Sequence, residues 1–352
     1  MPVTVVVGGQ FGSEGKGKVV HEFARRYGSS VAVRVGGSNS GHTVIDSSGK
    51  VRRFRTLPTA SILPGTISVI AAGSYIDPSV LLKEVTESKL DPSRLLIDLN
   101  AVLITDEHKQ AEQKSGLRET IGSTLSGTGA AVVSRLLRNG TAQFAGHDDR
   151  LKPFIQNTRQ FLRDRLKRGE RIIVEGTQGF GLSPLHSADY PNVTSRDTTA
   201  AGFLSEVGLG PLDVDEVVMV LRAFPIRVAG NSGPLPKEID WETVRKESGY
   251  KNDITERTTV TDMVRRVARF DARVVRSAIE ANSPNKIVLN HVDYVDSSCR
   301  TSHCLSHKAE QFVNSVEREI GAGIDFVGLG PSGVVPRVHS SSASESPTHM
   351  TR

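Results

Sequence analysis

A short β-branched run, Val3-Thr4-Val5-Val6-Val7, passes directly into Gly8-Gly9-Gln10-Phe11-Gly12-Ser13-Glu14-Gly15-Lys16-Gly17-Lys18. A run without polar alternation suits a strand of a parallel sheet, because both of its faces are covered. Beyond the glycines, Val19, Val20, Phe23 and Tyr27 recur at helical spacing. Strand, glycine-rich loop and helix together make a phosphate cradle: glycines let backbone N–H groups converge, a helix N-terminus favours anions, and lysine adds charge. The loop is not a P-loop. Gln10 stands where that motif needs its first glycine, and Gly17 stands where Ser or Thr would hold magnesium. Taken alone, these residues also fit a tight strand-to-helix turn with solvated lysines.

The pattern repeats along the chain. Strand signals recur at residues 31–37, 172–176, 217–223, 287–290 and 324–328, several of them ending in glycine. Helical spacing is read in Val264, Val267, Val274, Val275 and Ile279, and again in Phe312, Val313, Val316 and Ile320. Strands alternating with helices predict an α/β protein with a central, mostly parallel β-sheet flanked by helices. In such sheets ligands sit beyond the carboxyl ends of the strands, so the polar loops that follow the strands are expected to converge on one cleft.

Composition narrows the partners. The formal charge is +5, but the 44 Lys and Arg residues are scattered, with no dense basic block interleaved with aromatics. That distribution suits small anionic ligands and argues against nucleic acid. No stretch of about 18 apolar residues is present to span a membrane. The opening residues lack the basic and cleavage-site features of a signal peptide. Two cysteines, Cys299 and Cys304, are too few for a disulfide framework, and a cytoplasmic protein is expected. With His303 and His307 they form a cluster whose spacing fits no usual zinc site. Residues 1–338 are read as one catalytic domain. The Ser-rich residues 339–352 are read as a disordered tail, too polar to bury.

A second loop, Gly36-Gly37-Ser38-Asn39-Ser40-Gly41-His42-Thr43, follows the second strand signal. A histidine among small residues at a strand end is placed for proton transfer, although a lone loop histidine is more often structural. The two loops together closely resemble the adenylosuccinate synthetase family, whose loops read G-D-E-G-K-G-K and G-G-x-N-A-G-H-T. The resemblance continues through residues 57–63, 121–124 and 175–179, then Tyr190-Pro191-Asn192-Val193-Thr194-Ser195, Thr198-Thr199-Ala200 and Arg227-Val228. It covers residues 3 to about 337, in the family's order.

The resemblance implies a P-loop-related fold and a two-step ligase. The purine 6-oxygen attacks the γ-phosphate, and the aspartate amine then displaces phosphate from the 6-phosphoryl intermediate. It implies that Ser13, Glu14, Gly15, Lys16 and Gly17 surround the triphosphate, with Lys16 offsetting charge on the transferred group. His42 is implied as the general acid, and Thr43 as its neighbour at the nucleotide. Gly41, through its carbonyl, and Ser13 are implied at Mg²⁺, a cation that prefers oxygen ligands. The purine monophosphate falls to Asn39, Thr124, Gln178 and Thr194, with Gln178 counted among the catalytic residues. Arg138 is implied to reach the partner subunit's nucleotide in a symmetric homodimer, although a solvated helix charge is the plain alternative. Thr259, Val260, Thr261 and Arg265 are implied for aspartate, Arg265 as a guanidinium clamp on a carboxylate. Asn290, Asp293, Gly328 and Gly330 are implied for the base of the triphosphate.

Three departures from the family stand out. Ser13 replaces the aspartate that removes the purine N1 proton, and a serine hydroxyl is a poor base at neutral pH. Two consequences follow: a dead nucleotide-binding homologue, or a different purine, since a short neutral side chain beside N1 leaves room for a 2-amino group. Met263 stands where the family has an arginine near the ribose, a loss tolerable when the substrate has no 2′-hydroxyl. Asn290-His291-Val292-Asp293 replaces T-K-x-D, which removes the lysine of the GTP-reading segment. The first two changes resemble the phage-associated branch that joins aspartate to dGMP, giving N6-succino-2-amino-2′-deoxyadenylate for diaminopurine DNA. That branch can use ATP or dATP, which are the donors expected here with GTP as the alternative, and would work in a host cytoplasm. The standard reaction of IMP, aspartate and GTP is the alternative.

Overall fold

The computed structural model describes residues 2–258 and 262–337, so the expected tail, 339–352, lies outside the described residues. The expected α/β architecture is present. A ten-stranded sheet runs, from one edge, through Val335–Pro336, Phe326–Val327, Lys286–Asn290, Val214–Arg222, Val3–Gly8 (β1), Ile172–Glu175, Val31–Arg34 (β2), Ile67–Ile70, Leu95–Asp98 and Ile155–Gln156. Neighbouring strands are parallel except at the Val335–Pro336 edge.

The central β1 is wholly buried, which explains its lack of polar alternation. Val3, Val5 and Val7 face one layer, shared with the helices Thr158–Lys167, Ala200–Val207, Ala272–Asn282 and His307–Ile320. Val6 faces the other, where Val19, Val20 and Phe23 of the helix Lys16–Tyr27 (α1) cover the sheet. The alternation of faces is the two-residue period of a strand, hidden in the sequence because both faces are apolar.

Because the strands are parallel, the loops after β1, β2, Ile172–Glu175, Val214–Arg222, Lys286–Asn290 and Phe326–Val327 all leave from the same edge of the sheet. The second, third and last of these strands stop short of the glycines expected to end them. One helical expectation is corrected. Val264 lies outside any helix, and Val267 sits on the strand Arg266–Ala268, antiparallel to Ile226–Arg227 and Glu238–Ile239. The helix begins only at Ala272, where the Asp271 carboxylate caps it by accepting the Arg273 N–H at 3.0 Å. The apolar spacing crossed a strand and a cap that happened to keep helical intervals.

Candidate active site

The loops meet in a cleft of about 240 Å³ at the carboxyl edge of the sheet. Ser13, Lys16, Asn39, Gly41, His42, Thr124, Gln178, Thr194 and Arg265 line it, so nine of the expected site residues share one cavity. Thr259, Val260 and Thr261 lie outside the described residues.

The glycine-rich loop is shaped from within. The Glu14 side chain is fully buried, and its carboxylate accepts the Gly12 N–H at 2.7 Å, the Gln10 N–H at 3.2 Å and the Lys16 ammonium at 2.7 Å. Glu14 therefore holds the curve of the loop instead of facing the cleft. Lys16 also donates to the Gln178 carbonyl, joining the loop to the segment after Ile172–Glu175. Ser13 adopts a left-handed backbone, φ 56°, with its side chain exposed to the cleft. Gly15 caps α1 at φ 88°, and a Cβ there would lie 2.7 Å from Asn290 Nδ2. At Gly17 a Cβ would come within 2.8 Å of Thr59 Cγ2 and 2.9 Å of His42 Cβ, so glycine lets α1 approach the histidine.

His42 opens the strand His42–Ile45 (β3), and only 8% of its surface is exposed. Its Nδ1 lies 2.5 Å from Glu175 Oε1, and the Arg34 guanidinium touches the same nitrogen. Arg34 Nη1 pairs with Glu175 at 2.7 Å, and the other carboxylate oxygen accepts the Thr59 N–H and hydroxyl. Burial, then Arg34, lowers the imidazole to about 3, so the ring is neutral at pH 7. Burial works to raise the Glu175 carboxyl, but Arg34 and His42 outweigh it and hold it at about 2. With Nδ1 engaged inside the protein, Nε2 is the nitrogen available to a ligand. Arg34 and Glu175 were not singled out as site residues; the available signal was a charge at the end of each of two buried strands.

Two further cleft residues were also missed. Glu112 accepts the N–H groups of Gly127 and Gly129 at 2.7 Å, fixing the start of the helix Thr128–Leu137 beside Thr124. Arg227 lies 4.1 Å over the Phe11 ring and pairs with Asp189.

Arg265 sits 3.4 Å from the Glu256 carboxylate, and its Nε has no partner among the described residues. Asn290, Asp293, Gly328 and Gly330 gather on the far side of the glycine-rich loop, outside the cleft lining. There Asn290 Nδ2 donates to the Glu14 carbonyl at 2.8 Å, Lys18 donates to the Gly330 carbonyl at 2.8 Å, and Tyr250 donates to Asp293 at 2.6 Å. Thr43 is exposed on β3 and does not line the cleft. Arg138 is also outside it, exposed at the end of Thr128–Leu137, beside Val133, Leu136 and Leu137, which are 54–69% exposed.

Magnesium fits this donor set. Ser13 and Gly41 bring oxygen atoms to the cleft, and no group of three or more His, Cys, Asp or Glu is gathered among the described residues. An ion held by so few protein ligands takes the rest from phosphates and water, which is the usual habit of Mg²⁺. No helix among the described residues is long and apolar enough to cross a membrane.

The family model of adenylosuccinate synthetase matches residues 5–145 and 140–298. The adenylosuccinate synthetase of Methanocaldococcus jannaschii is 38% identical over 335 residues, covering 93% of this chain and 94% of that protein. That of Pyrococcus horikoshii is 35% identical over 338 residues, covering 94% and 96%. Among solved structures, the succinoaminodeoxyadenylate synthetase of cyanophage S-2L, bound to dGMP and to dATP as an energy donor, superposes with a TM-score of 0.80. It shares 30% identity, and the match covers 95% of both chains. Fully ligated adenylosuccinate synthetase from Plasmodium falciparum has the same fold, with a TM-score of 0.83 at 20% identity over 96% of this chain and all of that one. With a family model that matches most of its length and relatives that match almost end to end, the chain belongs to the adenylosuccinate synthetase family and is a C–N bond-forming ligase.

Proposed function

We propose that this ligase joins L-aspartate to dGMP, with ATP or dATP as donor, giving N6-succino-2-amino-2′-deoxyadenylate for diaminopurine DNA. The observation that carries the reading is Ser13. A short, neutral side chain faces the cleft at the position where the family has aspartate. Met263, about half exposed in place of an arginine, agrees with a substrate lacking the 2′-hydroxyl. The cyanophage neighbour, solved with dGMP and dATP, gives independent support.

In this reading Asn39, Thr124, Gln178 and Thr194 hold the monophosphate. The purine N1 proton leaves through the Ser13 hydroxyl, which relays it to solvent, as the 6-oxygen attacks the γ-phosphate and the nucleoside diphosphate leaves. Lys16 offsets the charge that builds on the transferred group, and His42, which the incoming phosphates protonate at Nε2, donates to the departing diphosphate from that nitrogen while Glu175 holds Nδ1. Aspartate, held by Arg265, then attacks C6 through its amine and inorganic phosphate leaves. Magnesium, near Gly41 and Ser13, screens the phosphates when bound. Asn290, Asp293, Gly328 and Gly330 take the donor base. Tyr250 occupies one oxygen of Asp293 and the other has no partner among the described residues, so Asp293 could still accept from guanine, and the preference for adenine rests on His291 standing where the family has lysine.

The catalytic domain in this reading is residues 1–338, and the protein is cytoplasmic. The exposed Val133, Leu136 and Leu137 support a homodimer in which Arg138 reaches the partner's nucleotide. A second reading, IMP with GTP, is favoured by the archaeal adenylosuccinate synthetases at 33–38% identity. Phosphate release with aspartate, Mg²⁺ and ATP, offered dGMP, GMP, dIMP or IMP, separates the two. The proposal expects turnover with dGMP and little with IMP; a clear preference for IMP overturns it.

A further inference from the structure

Arg222 is the largest side chain with no exposure in the described structure. It ends the strand beside β1, and the Gln10 amide grips its backbone, accepting its N–H at 2.9 Å and donating to its carbonyl at 3.2 Å. The guanidinium then reaches in two directions. Nη1 donates to the Ser13 carbonyl at 3.0 Å, and Nη2 donates to Glu256 at 2.5 Å. Glu256 in turn pairs with Arg265, side chain to side chain, and its carbonyl accepts the Arg265 N–H at 2.9 Å. Two guanidiniums thus share one carboxylate. The neighbouring His291 adds no charge, because burial and then Arg222 keep it neutral.

One positive charge is left over, and Arg265 carries it to the cleft lining, its buried Nε without a partner among the described residues. A cation that is only partly neutralised and held at one edge is prepared for an anionic ligand. An ion pair serving stability alone would have no need to extend to a cleft-lining arginine or to the carbonyl of a left-handed loop residue.

We propose that Arg222 and Glu256 are positioning residues. They hold Arg265 at the angle that receives the amino-acid carboxylate, and they tie that angle to the Ser13 turn of the phosphate loop. The inference rests on Arg265 being the aspartate clamp of the reading above, but not on which purine is used.

The test is steady-state kinetics of Glu256→Gln and Arg222→Lys, with thermal melting alongside. Whichever of dGMP and IMP the unmodified protein turns over serves as co-substrate, so failure of the dGMP reading does not hide the outcome. Glu256→Gln should raise the aspartate KM at least tenfold and leave both nucleotide KM values within about twofold. Arg222→Lys should raise the aspartate KM similarly and also lower kcat, because the Ser13 carbonyl loses its donor. The double variant Arg222→Met with Glu256→Gln removes both charges at similar volume, which guards against a folding failure of either single change. It should show the same KM rise. Lowered melting temperature and kcat with an unchanged aspartate KM in Glu256→Gln would overturn the proposal.

Discussion

Replacing Glu175 with Gln tests the electrostatic account of His42 most directly. The substitution keeps shape but removes a buried charge that Arg34, His42 and two Thr59 donors share. Arg34 is 3% exposed and would be left without its carboxylate. Breaking a buried pair in this way costs about 3–5 kcal/mol. The depressed carboxyl gives a similar figure: a fall from 4.5 to about 2 corresponds to about 3 kcal/mol. Because this pKa is depressed, the stabilisation is complete above pH about 4.5 and is lost as pH falls through about 2. Urea unfolding at pH 7 should therefore show Glu175→Gln less stable by about 3 kcal/mol, with the gap constant to pH 5 and closing below about 4.5. The kinetic effect is separate. With Nδ1 deprived of its carboxylate, His42 loses its orientation and kcat should fall about 10²-fold, the lower end for a lost general acid. A variant as stable as the parent at pH 7, or one whose kcat stays within threefold, would refute the reasoning.

Three other outcomes are expected. Ser13→Asp should move the kcat/KM ratio for IMP over dGMP upward by tenfold or more, since it restores a base and fills the space beside purine C2; an unchanged ratio would remove Ser13 as the specificity residue. Gly17→Ala should cost about 1–3 kcal/mol of stability, because the new methyl meets Thr59 and His42 at under 3 Å, and should lower kcat as His42 is pushed aside; melting and turnover of the same preparation check both. Leu136→Asp, placed in the exposed apolar stretch before Arg138, should shift sedimentation toward monomer and raise the KM for the purine monophosphate, whereas a dimer of unchanged stability would locate the interface elsewhere.

Much of this molecule is legible in local pattern. The β-branched run of β1, the glycines after it and the helical spacing of α1 are all signals within a few residues, and they appear in the structure as a buried strand, a tight loop and a helix covering the sheet. The convergence of the loops on one cleft also follows from sequence, because parallel strands put their carboxyl ends on one edge. Periodicity alone placed Phe312, Val313, Val316 and Ile320 correctly on the helix His307–Ile320 but misled at Val264 and Val267, which kept helical intervals across a strand and a helix cap.

Only the tertiary structure decided which charges meet. Arg34, His42 and Glu175 are separated by up to 141 residues, and Ser13, Arg222, Glu256 and Arg265 span more of the chain still. Sequence pattern reports neighbours at two, three or four residues, and a lone charge within an apolar strand has no partner there to explain it. In the folded protein burial makes such partners obligatory, since an unpaired charge in the interior is too costly to persist. Sequence therefore determined the scaffold and its glycine-rich loops, while tertiary packing selected the carboxylates, Glu175 and Glu256, that meet His42, Arg34, Arg222 and Arg265.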